Sequence, residues 1–317
     1  MMKTICIAGL KGGIGKTTTT TTLAYLLQAE KEKRVLLIDA DCQANATMTY
    51  DVEPSDDGIA DIMSYALKGD MPDIKSHIIT TDYGVDIVPS STGLQVVNGR
   101  LQVEREHSQI DVLKRALSEI ESEYDYCIID CGLQLDITVL NAICASDLVL
   151  SPHKIGGFEE QGSDVLDEIL IQLSNTDIGE NINLKRFVTL FRKNKTMCNF
   201  LLATQEKYDS TLMPSYVRES VQVIKNSMMS GPLPYNFKNC IAVKDYRQNT
   251  TLGVTLATIS KYTPEEFYKD KPLYEDYDDL ADYVDRFMLR PLRNLQYGSS
   301  DRDKEYFIPD DEDLDDE

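Results

Sequence analysis

The stretch KGGIGKTTTTTTL, residues 11–23, constrains this chain more than any other. It joins three glycines to six consecutive threonines, and neither type favours a helix interior. On one side KTICIAG, residues 3–9, is a short apolar run ending in glycine; on the other LAYLL, residues 23–27, is helical in composition. Strand, glycine loop and helix are therefore expected in succession. A loop in that position reads as a phosphate cradle, because glycines let backbone N–H groups turn toward an anion and the helix start adds a favourable dipole. Lys16 is then expected to reach the terminal phosphates and the Thr17 hydroxyl to ligate Mg²⁺. On this reading the bound nucleotide supplies the order that the glycines and threonines lack.

Further apolar runs recur at 34–40, 84–90, 124–130, 147–152 and 186–191, with helical stretches between them. Ser108 is a candidate helix cap with Ile110, Leu113, Leu117 and Ile120 on one face, and Val165, Leu166, Ile169, Leu170 and Leu173 form a second stripe. Alternation of this kind predicts an α/β fold, a mostly parallel twisted sheet with helices on both faces. At 317 residues we read one domain over 1–300. Within it 230–270 reads as an irregular C-terminal insertion, after which a helical period resumes through Leu280, Tyr283, Val284 and Phe287.

No run of eighteen apolar residues and no leader pattern is found, and the seven cysteines show no regular pairing, so a cytoplasmic chain with reduced core thiols is expected. The net charge of −21 is uneven: residues 301–317 hold ten acids and two bases and read as a disordered acidic tail. So acidic a chain cannot hold DNA through its overall charge and would need a local basic patch.

Carboxylates at two strand ends complete the expected site. Asp39 and Asp41 follow the apolar run 34–40, at the sheet edge where open α/β folds bind ligands. Asp130 closes the run YDYCIID, as a Walker B carboxylate does when it holds Mg²⁺ from a buried strand tip.

The loop departs from the common pattern G-x-x-x-x-G-K-[ST], since Leu10 stands where its first glycine would be. The spelling K-G-G-x-G-K-T-T resembles the deviant Walker A loop of the ParA/MinD ATPases, whose second lysine is here Lys11. The resemblance implies a P-loop ATPase that takes ATP and Mg²⁺. Lys11, Gly12, Gly13, Ile14, Gly15, Lys16, Thr17 and Thr18 would cradle the nucleotide, and Lys11 would reach across a homodimer to the other subunit's ATP. DADCQANAT, residues 39–47, resembles the ParA switch I signature D-x-D-P-Q-G-N-A-T. By that likeness Asp41 orients the attacking water, joining Lys11 and Lys16 as catalytic residues, while Asp39 supports Mg²⁺ or the loop. Thr17 and Asp130 complete the metal set.

MPSYVRES, residues 213–220, resembles the segment that sets Met213 and Pro214 beside the adenine. Arg218, with Arg192, Lys193 and Lys195, would then belong to a surface for nonspecific DNA. Cys42, Gly132 and Leu133 stand where the family's switches carry proline, which bears on the hydrolysis rate. The implied function is plasmid or chromosome partitioning with a ParB-like activator, nucleoid-associated if DNA is bound. The alternatives are a MinD-like positioning ATPase, for which 285–297 is the candidate amphipathic helix, or a nucleotide-binding regulator with little turnover. Pro291 and the acidic tail argue against membrane recruitment.

Overall fold

The computed structural model describes residues 1–238, except 30, 69, 71–72, 104–108, 156–159, 175, 177–181, 193–194, 209–210, 221–222 and 224–228, together with Leu280 and Ala281. Ser108, residues 239–270 of the expected insertion, the 285–297 segment and the acidic tail lie outside the described residues.

In chain order, β1 (Lys3–Ile7), α1 (Lys16–Ala29) and β2 (Val35–Ala40) are followed by α2 (Asn45–Thr49), α3 (Ile59–Ser64), β3 (Ile79–Thr80) and β4 (Asp86–Val88). Next come α4 (Gly93–Leu101), α5 (Val112–Ser118), β5 (Tyr126–Cys131), α6 (Ile137–Cys144) and β6 (Leu148–Lys154). The described chain closes with α7 (Glu160–Ser174), β7 (Asn183–Phe191), α8 (Lys195–Tyr208), β8 (Leu212–Arg218) and the short α9 (Leu233–Lys238). The strands form one sheet in the order β3-β4-β2-β5-β1-β6-β7-β8, parallel throughout except for the β3–β4 pair at one edge.

Strand side chains alternate between faces, and here the alternation sorts the core into two layers. Ile5, Ile7, Val35, Leu37 and Ile128 pack with Leu23, Leu26 and Leu27 of α1 on one face. Cys6, Leu36, Ile38, Cys127 and Ile129 pack with residues of α3, α4, α5 and α6 on the other. Each of the three α1 leucines is fully buried and contributes about 1.5–3 kcal/mol of transfer free energy. Cys6 and Cys127 are free core thiols, as expected.

Four features differ from the sequence reading. The threonine run is ordered by protein contacts: Thr19 and Thr21 donate hydroxyl bonds to the carbonyls of Gly15 (2.7 Å) and Thr17 (2.8 Å) inside α1, while Thr20 Oγ1 lies between Lys16 O (3.0 Å) and a carboxylate of β5. Residues 231–236, expected within the irregular insertion, are packed onto the sheet's α1 side. Leu233 is buried beside α1, Gly231 N donates to Thr49 O at 2.9 Å, and Tyr235 meets Tyr83 edge-on with ring centroids 4.9 Å apart. Val165, placed on the apolar stripe of α7, is 43% exposed, while Leu166 alone of that stripe is fully inside. Finally, α5 starts at Val112 with Asp111 as its cap residue, later than the expected boundary near 108.

Candidate nucleotide site

Parallel register brings three strand ends together. Asp130 on β5 pairs with Ile7 of β1 on one side and with Asp39 of β2 on the other, so the glycine loop after β1 opens over two adjacent carboxylates. Within that loop Gly13 (φ 71°) and Gly15 (φ 87°) adopt the left-handed backbone that glycine alone enters cheaply. A side chain on Gly15 would also lie 3.4 Å from Thr189 Oγ1 of β7. Gly12 and Gly13 are exposed, Ile14 is buried beneath them, and Thr18 is half-buried on the first turn of α1. Lys11 is half-buried, and its carbonyl accepts a bond from Lys16 Nζ at 3.1 Å.

Below the loop, Thr17 Oγ1 donates to Asp130 Oδ2 at 2.7 Å and Thr20 Oγ1 to Asp130 Oδ1 at 2.8 Å. Each carboxylate oxygen thus has its own hydroxyl. Asp130 is fully buried, and burial, aided by the nearby Asp39 charge, pushes its pKa up to about 8 against the pull of the two threonine bonds. Lys16 is 9% exposed, and burial lowers its pKa although Asp130 and Asp41 pull the other way. The arrangement couples a desolvated ammonium to a desolvated carboxyl pair under an anion-ready loop.

Asp39 is also fully buried, and burial raises it to about 6. Its Oδ2 accepts from Thr47 N and Thr47 Oγ1, both at 2.8 Å, and its Oδ1 from Asp41 N at 3.1 Å. Both its oxygens are thus turned to the 41–47 loop. Asp41 is half-buried; its Oδ1 accepts from Gln43 N at 3.0 Å and lies 3.7 Å from where a side chain on Gly132 would begin.

The remaining expected residues gather elsewhere. Met213 is 2% exposed and packs in the α1-side core, so only its backbone could border a base; the Pro214 side chain lies outside the described residues. Arg192 is paired through Nε and Nη2 with both oxygens of Glu219, the Nη2–Oε1 distance being 3.0 Å. That pairing holds the Glu219 carboxyl below its usual range. Arg218 is half-buried at the end of β8; Lys193 and the Lys195 side chain lie outside the described residues. Thr20 and Thr47 were not singled out in sequence. Inside a threonine run and a loop, nothing but the fold marks which hydroxyl meets a carboxylate.

A family profile described as an AAA domain matches residues 2–186. The sporulation initiation inhibitor protein Soj of Bacillus subtilis is 36% identical over 182 residues, covering 56% of this chain and 70% of Soj. The chain belongs to the ParA-type P-loop ATPases. Its reaction is accordingly the hydrolysis of ATP. Two solved structures resemble this ParA-type fold with a TM-score of 0.58 each. One is a plasmid partition protein from Borrelia burgdorferi, 26% identical and covering 75% of this chain and 99% of that one. The other is cobyrinic acid a,c-diamide synthase from Mycobacterium smegmatis with a bound ATP analog and magnesium, 25% identical and covering 66% and 84%.

Proposed function

We propose that this ParA-type chain is a partition ATPase that binds ATP with Mg²⁺, pairs with a second copy, holds DNA without sequence preference and hydrolyses ATP when a ParB-like partner engages it. The observation that carries the reading is the Thr17–Asp130–Thr20 cluster set beneath Lys16 at the mouth of the glycine loop. The residues fit the absent ligands. Among the described residues nothing lies within 4 Å of where a side chain on Gly13 would begin, which suits close approach of a phosphate, and the two neighbouring buried carboxylates are suited to offset a divalent charge. Thr17 and Asp130 would hold the metal, which supplies charge neutralisation at the phosphates when bound. Asp41 would orient water, Lys16 would meet the phosphates, and Lys11 would serve the partner copy's nucleotide.

A cytoplasmic, nucleoid-associated location follows from this reading. No helix among the described residues is long and apolar enough to cross a membrane. The DNA part is separable, because Arg192 is already matched by Glu219. Calorimetry with ATP and magnesium, sedimentation of the ATP-loaded chain, and DNA retardation with ATP against ADP test the reading on one preparation. Heat of binding, dimer formation and ATP-dependent retardation are expected from the unaltered chain and none from Lys16→Ala. Absence of binding heat sinks the whole proposal; equal retardation in ATP and ADP sinks its DNA part.

A further inference from the structure

Residues 133–135, between β5 and α6, are exposed, with Leu133 and Leu135 at 47% and 40%. A turn with so little apolar burial of its own is placed by its two ends. One end is Cys131 in β5. The other is Asp136, whose Oδ1 caps α6 by accepting from Val139 N at 2.9 Å. That end is held from a separate helix. Asn98 of α4, 5% exposed, donates from Nδ2 to Asp136 Oδ2 at 2.9 Å, and its Oδ1 accepts from Thr138 N at 3.1 Å and Thr138 Oγ1 at 2.9 Å. The turn so held borders the nucleotide site: Gly132 adjoins Asp41, and Leu133 Cδ2 lies 3.9 Å from where a side chain on Gly12 would begin. In the loop that leads from β4 into α4, Ser90 N donates to Thr47 Oγ1 at 3.0 Å, so one segment grips the Asp39–Asp41 loop and the turn together.

We propose that Asn98 is a positioning residue for ATP hydrolysis, holding the 132–135 turn against Asp41 and Gly12 through Asp136 and Thr138. The proposal rests on the nucleotide reading above. In this chain the hold comes from a buried amide on a neighbouring helix, where Gly132 and Leu133 leave the turn itself without a stiff residue.

The test uses the full chain with Asn98→Ala, Thr138→Val and Thr138→Ser. Amide hydrogen exchange without nucleotide is expected to quicken at residues 136–140 by about tenfold or more in Asn98→Ala and less in Thr138→Val, while β5 stays protected. Steady-state kinetics are expected to show kcat reduced at least about fivefold with KM for ATP within about twofold, because Asn98 touches none of the cradle. Thr138→Ser, which keeps the hydroxyl, should behave as the unaltered chain. Faster exchange with an unchanged kcat makes Asn98 merely structural and overturns the proposal, as does unaltered exchange. If Asn98→Ala does not fold, the nearly isosteric Thr138→Val carries the same comparison. An unaltered chain that fails to bind ATP sinks the nucleotide reading and, with it, the catalytic role given to Asn98; the exchange data would still show whether Asn98 holds the turn.

Discussion

Replacing Thr20 by valine keeps the shape of a buried side chain and removes one hydroxyl from Asp130. The loss is a bond of 2.8 Å to a carboxyl whose pKa is raised to about 8, together with a 3.0 Å contact to Lys16 O that does not titrate and so weighs equally at every pH. Below that pH, in the nucleotide-free chain, the carboxyl is neutral and the bond contributes about 1 kcal/mol; above it the acceptor is charged and the contribution rises to about 1.5–3 kcal/mol. The sign follows from linkage. A folded-state carboxyl raised from 3.8 to about 8 keeps a proton that the unfolded chain has lost. Stability therefore falls by about 1.4 kcal/mol per pH unit as pH climbs through that window. Thr20→Val withdraws a bond that favours the charged form, raises the folded pKa further and extends the window upward. Urea unfolding of the nucleotide-free chain at about pH 6 and about pH 9.5 is expected to show a deficit of about 1 kcal/mol at the lower pH and about 3 kcal/mol at the higher. Groups that titrate equally in both proteins cancel in the difference. Thr22→Val serves as the opposite control, because Thr22 Oγ1 is buried with no hydrogen-bond partner among the described residues and its removal should stabilise by about 1 kcal/mol at both pH values. A Thr20→Val deficit that stays flat or shrinks with rising pH would refute the account of Asp130.

Three further outcomes are expected. Gly15→Ala forces a left-handed backbone on alanine beside Thr189 and should cost about 1–2 kcal/mol in unfolding together with the calorimetric signal for ATP. Arg186, 1% exposed, is paired with Asp167, bonds Thr211 Oγ1 at 2.6 Å and lies over the Tyr208 ring; Asp167→Ala leaves that cation buried and should cost about 3 kcal/mol, read by urea unfolding. Glu219→Gln releases Arg192 from its carboxylate, so DNA retardation in ATP should strengthen if Arg192 belongs to a DNA surface and stay the same if it does not.

The strand–loop–helix start, the alternation of apolar runs and the three acids at strand ends were legible because each is a local signal. A glycine loop needs its residues consecutively, and a buried strand advertises itself by composition. What escaped was nonlocal. The edge strand β3 has two exposed residues and no apolar run, and β8 carries a proline, so neither stands out along the chain. The packing of 231–236 depends on Gly231 and Tyr235 meeting Thr49 and Tyr83, contacts between segments about 150 to 180 positions apart. That the Met213 side chain points into the core was also hidden, because the period-2 alternation of β8 turns it toward α1.

The order of residues 11–17 alone determined a glycine turn running into a helix, since turn geometry and helix start are written in neighbouring residues. Which acids stand beneath that turn was decided by strand register. It sets Asp130 between Ile7 and Asp39, gives its two oxygens to Thr17 and Thr20, and turns Asp39 toward Thr47. Asn98 belongs wholly to the second kind: its three bonds join helices forty positions apart, and a single asparagine on a mixed helix carries no sign of them in the sequence.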